Sequence, residues 1–77
     1  MIHIDNVEEL KVGNKIPDGG LIIEKGSRSL QAIYNINGEY YETFFIIRGN
    51  ELKPMGNLSL TYNIYNCFLN QAKGELK

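Results

Sequence analysis

The side chains able to do covalent or acid–base chemistry are few and scattered. His3 and Cys67 are the only residues of their types, and the nearest carboxylate pairs are Glu8-Glu9 and Glu39 with Glu42. A nucleophile needs a base within hydrogen-bond reach, and no Ser or Cys stands in a context that His3 would activate. Cys67 reads as a small buried hydrophobe near the apolar edge of a helix. Paired carboxylates work as acid and base only where a pocket separates their pKa values, and nothing marks one here, so both pairs read as solvated surface. The glycine-rich PDGG (17–20) lacks the Lys-Ser/Thr and the following helix of a phosphate loop and reads as a turn. No catalytic residue, cofactor or metal site is expected, which leaves non-covalent recognition.

The residues suited to recognition lie in NINGEYYETFFIIRGN (35–50). Strand neighbours point to opposite faces, so the doublets Tyr40-Tyr41 and Phe44-Phe45 each send one ring to either side. Turn signals at Gly26-Ser27, Asn37-Gly38 and Gly49-Asn50 separate runs rich in β-branched and aromatic residues, the pattern of hairpins with two-residue loops. The three registers place Leu21, Ile23, Leu30, Ala32, Tyr34, Tyr41, Phe45, Ile47 and Leu52 on one face, the expected core. The other face carries Ile22, Ile33, Tyr40, Glu42, Phe44, Ile46 and Arg48, with Arg48 across from Glu51.

The expected fold is α+β: an antiparallel meander of about four strands near 20–25, 28–36, 39–48 and 51–55, with a C-terminal helix on one face. Pro54 belongs on the outer strand, where its missing N–H costs no ladder bond. After the Pro54-Met55-Gly56 break, Asn57 or Ser59 is expected to cap a helix ending near Gly74. Leu60, Ile64, Tyr65, Phe68, Leu69 and Ala72 share an arc of it suited to covering the core face. Asn63, Asn66 and Asn70 form an uncharged stripe outside that arc. Met1–Ile4 reads as a short strand and Asp5 as the cap of one or two helical turns stopped at Gly13. The run LKVGNKI (10–16) ahead of short twisted strands resembles small SH3-like barrels, which implies a partly closed sheet if the N-terminal segment adds a strand.

At 77 residues the chain reads as one domain, 1–77, with a small core. Eight basic and nine acidic side chains give a net charge of −1, without the basic excess that would itself point to nucleic acid. A single cysteine excludes an internal disulfide and fits a reducing cytoplasm. Neither a signal peptide nor a membrane span is expected. Ten Ile, nine Asn, six Lys and five Tyr against two Arg indicate AT-rich codons, as in a low-GC bacterium or a phage or mobile element living in one.

These readings converge on a non-catalytic binding protein acting stoichiometrically on a macromolecular partner, such as a phage or mobile-element inhibitor of host defence or host machinery. The expected contact residues are Ile33, Tyr40, Phe44 and Ile46, with Glu42 and Arg48 at the rim. One alternative is a nucleic-acid module that stacks bases on Tyr40 and Phe44 beside Arg48 and Lys53, against the repulsion of Glu24, Glu42 and Glu51. Another is an oligomeric sponge for a small signalling nucleotide, drawing on Arg28, Arg48 and Lys53. The same apolar face would also serve a homodimer.

Overall fold

Asn37 and Gly38 adopt φ of 53° and 84°, the left-handed pair that a tight hairpin turn demands. The computed structural model describes residues 1–74, and this turn sets the register of its two central strands. β1 is Ile2–His3, β2 Leu21–Lys25, β3 Ser29–Ile36, β4 Glu39–Arg48 and β5 Glu51–Leu60, followed by the helix α1, Tyr62–Gly74. The strands form one curled antiparallel sheet, a half-barrel in the order β1-β5-β4-β3-β2. Leu30 opposes Phe45, Ala32 opposes Thr43 and Tyr34 opposes Tyr41, as the Asn37-Gly38 turn requires.

The β2 register differs from the sequence expectation. The tight turn is Ser27-Arg28, flanked by Gly26, whose N–H donates to the Ser29 carbonyl at 2.9 Å. A bulge between Ile22 and Glu24 then leaves Ile23 unpaired, so Ile22 opposes Ala32 and Leu21 opposes Ile33. Ile22 therefore belongs to the core, while Leu21 lies on the opposite face. Leu21, Ile22 and Ile23 are all apolar, so no alternation in this strand opposes the shift.

The core lies on the inner face and unites Ile4, Ile16, Ile22, Leu30, Ala32, Phe45 and Leu52. The N-terminal segment covers it as a strap. At one edge β1 pairs Ile2 with Leu52, and Ile4 N–H reaches the Asn50 carbonyl. At the other, Gly13 N–H donates to the Ile22 carbonyl and Ile22 N–H to the Asn14 carbonyl. Between these ends a 3₁₀ turn over Val7–Glu9, capped by Asn6 rather than Asp5, helps bring Val7, Leu10 and Val12 against the core.

The helix therefore has the outer face, the reverse of the expected arrangement. β5 does not stop at Pro54-Met55-Gly56: its register shifts between Phe44 and Phe45, Met55 is the extra residue, and pairing resumes to Leu60 opposite Tyr40. Thr61 alone then links strand to helix, its hydroxyl accepting from Ile64 N–H at 3.3 Å and its carbonyl from Tyr65 N–H at 3.0 Å. The helix thus begins after Thr61, not at Asn57 or Ser59. From there it crosses back over β4, β3 and β2 on the side that carries Tyr40 and Ile33.

Candidate functional site

α1 divides the expected contact residues. Ile33, at 1% exposure, is part of the interior beneath the helix, and Ala72 at 1% is the helix residue most deeply seated. Tyr40 is half-buried, its ring centroid 4.6 Å from that of Tyr65 and 5.6 Å from that of Tyr62. Such tilted pairs favour docking beyond the area they bury. Ile33 and Tyr40 are therefore structural positions on the outer face, not its exposed part. A base-stacking platform would need both Tyr40 and Phe44 free, and Tyr40 is engaged by α1.

Phe44, Glu42, Ile46 and Arg48 remain along β4 outside the helix. Phe44 is 41% exposed, Ile46 half-buried and Arg48 exposed opposite Glu51. Glu42 Oε2 accepts from the Gln31 side chain at 3.2 Å, a bond across the strands that holds the carboxylate beside Phe44. The extension of β5 brings in two residues absent from the sequence reading, Met55 at 53% and Leu58 at 59% exposure. With Phe44, Gly56, Asn57 and Glu42 they frame an open hollow of about 230 Å³. The signal that could have found them is the Gly49-Asn50 register itself, carried past Pro54 through one bulge.

A larger hollow, about 380 Å³, opens on the inner face beside the start of the strap, with Met1 and Ile2 in its lining. Tyr34, Tyr41, Thr43 and Phe45 line it from β3 and β4, Pro54 and Asn57 from β5, and Asp18 from the preceding turn. Tyr34 Oη donates to Asp18 Oδ2 at 2.8 Å, and Asp18 Oδ1 accepts from Gly20 N–H at 3.1 Å. Tyr41 Oη donates to Glu39 Oε2 at 2.6 Å, and Thr43 Oγ1 donates to Asn57 Oδ1 at 2.7 Å. Burial, then the bond to Asp18 and the charge of that carboxylate, push the Tyr34 phenol well above its ordinary pKa. The bond to Glu39 raises that of Tyr41 in the same direction. Both phenols are thus held protonated beside carboxylates.

A third hollow, about 480 Å³, lies between α1 and the 13–21 segment, with Lys15 and Lys73 at its margin over Leu21, Ile33 and Leu69. Arg28, Arg48 and Lys53 line none of these three hollows. Cys67 is exposed on α1, on the solvent side of the expected apolar arc rather than buried within it. His3 is near Asp5, 3.6 Å away, at an exposed position. Among the described residues, no group of three or more His, Cys, Asp and Glu is placed to hold a metal ion, and no helix is long and apolar enough to cross a membrane.

The fold and its hollows define a curled five-stranded half-barrel closed by a strap on one face and a helix on the other. Compared with protein-family models, curated proteins and solved structures, the chain matches none of them.

Proposed function

We propose that this is a binding protein that acts stoichiometrically on a protein partner, docking through the outer flank of β5. One observation carries the reading: Phe44, Met55 and Leu58 stay exposed together on the outer face, beyond the part that the helix covers. Adjacent exposed apolar side chains of this kind, with Glu42 and Asn57 at the margin, have the make-up of an interface centre with a polar rim. The AT-rich residue usage extends the reading to a phage or mobile-element inhibitor of host defence or host machinery.

Affinity capture from a low-GC bacterial lysate, with and without nuclease, tests it. A protein recovered in stoichiometric amount after nuclease treatment supports the reading. Recovery only of nucleic acid, or of the protein's own copies, contradicts it.

A second reading, sequestration of a small nucleotide, is favoured by the hollow between α1 and the 13–21 segment. There Lys15 and Lys73, rather than Arg28, Arg48 and Lys53, supply the cations. Calorimetric titration with mononucleotides and cyclic dinucleotides separates the two, since only the second reading expects heat of binding.

A further inference from the structure

The outer edge of β5 is open along most of its length. β1 pairs only with Glu51 and Leu52, and among the described residues no backbone bond reaches residues 54–60 from that side. Antiparallel strands bond to one neighbour through alternate residues. Ile47 N–H donates toward β3, to the Arg28 carbonyl, so alternation gives the odd-numbered β4 residues to β3 and the even-numbered ones to β5. Opposite the latter stand Gly56, Leu58 and Leu60, which leaves the backbone N–H groups of Asn57 and Ser59 facing outward. Exposed edges are normally blunted by charges, prolines, bulges or a covering element. From Met55 to Leu60 this edge carries no charged residue, and Pro54 and the bulge guard only its near end.

The two sides of this edge differ in chemistry. On the outer side lie Phe44, Met55 and Leu58. On the inner side lies the 380 Å³ hollow, with the rings of Tyr34, Tyr41 and Phe45 in its lining. Asp18 is its one charged lining side chain, Glu39 is bonded to Tyr41 at its margin, and no Lys, Arg or His side chain lines it, although Met1, with the terminal amino group, lies at the β1 end. Aromatic walls beside carboxylates attract an organic cation, and the aliphatic stem of a lysine or arginine packs well against apolar walls. A strand added at β5 would alternate its side chains between the two sides.

We infer that the open edge of β5 takes up an extended segment of the partner protein. The segment pairs with residues 54–60, sets a lysine or arginine in the inner hollow and lays apolar neighbours on the outer one. This rests on the protein-binding reading above and specifies it as strand addition, in which main-chain bonds supply affinity and alternate side chains supply selectivity. A second copy of β5 fits less well. It would bring Asn57 and Ser59 to the inner side, offering no lysine or arginine side chain to Asp18 and Glu39.

The test is titration of isotope-labelled protein with two end-capped hexapeptides, one alternating valine with lysine, the other valine with glutamate. The lysine peptide is expected to shift the amide signals of residues 54–60 to saturation, and the glutamate peptide to leave them in place. Ser59→Pro removes an outward N–H while sparing the rungs to β4, and is expected to weaken the lysine peptide at least about tenfold, with Ser59→Ala binding normally. Glu39→Gln is expected to weaken it about threefold.

Neither peptide shifting the spectrum, both doing so equally, or shifts confined elsewhere overturns the inference. So does a dimer in sedimentation equilibrium that protects residues 54–60 from exchange, since the edge then belongs to a second copy. Nuclease-resistant partner capture without peptide uptake rejects strand addition alone, whereas absence of any captured protein counts against the broader reading.

Discussion

Tyr40 packs against Tyr65, ring centroids 4.6 Å apart and planes inclined at 37°, whereas Phe44, four residues further along the same strand and on the same face, meets no helix. Two rings that sequence alone treats as equivalent thus have different work. Replacing Tyr40 by Ser should lower unfolding stability by about 2 kcal/mol, since it removes both buried area and an aromatic pair. Phe44→Ser should change it by no more than about 0.5 kcal/mol, as is usual for exposed positions. Urea denaturation of the two variants measures the contrast, and equal losses would place both rings in the core.

Gly20 lies under the Tyr34 ring, where an added Cβ would sit 2.6 Å from the nearest ring carbon. Because Tyr34 is tied to Asp18 and packs on the core, its ring has little freedom to retreat. Gly20→Ala is therefore expected to cost about 1–3 kcal/mol, read from the denaturation midpoint. Gly38→Ala should fail for another reason, its φ of 84°, although no neighbouring atom crowds that position.

Tyr34 also gives the fold an alkaline limit. Its phenol is raised in the folded state, first by burial and then by Asp18, so the unfolded chain loses this proton at lower pH than the folded one. The contribution is complete below the unfolded value of about 10 and is lost as pH climbs from there toward the higher folded value. Comparing urea unfolding at about pH 9 and about pH 11 should show a loss of stability that Tyr34→Phe reduces, because that variant has no proton to release. An identical loss in both proteins would remove Tyr34 from the account.

The hairpins centred on Asn37-Gly38 and Gly49-Asn50 were legible because each joins alternating strands at a turn whose residues tolerate positive φ. Leu30 with Phe45, Tyr34 with Tyr41, and Arg48 with Glu51 all pair as read. β2 was not legible, since Leu21-Ile22-Ile23 is apolar on either parity and a bulge flips it at no visible cost. The side taken by α1 was hidden by the same bulge logic: Pro54-Met55-Gly56 looks like a strand end but acts as a kink, and the helix follows the strand to Leu60. Two amphipathic faces and one amphipathic helix do not say which pair will meet. For the candidate site, Phe44, Ile46, Glu42 and Arg48 were visible, while Met55 and Leu58 emerged only once β5 continued beyond Pro54.

The protein-binding account is tested most directly by measuring partner capture and unfolding stability side by side for wild type and for the double variant Phe44→Ser, Leu58→Ser. Both residues are exposed, at 41% and 59%, so the double variant should stay within about 1 kcal/mol of wild type while capture falls at least about tenfold. Full capture by a stably folded double variant would contradict the assignment of the outer flank of β5 as the docking surface.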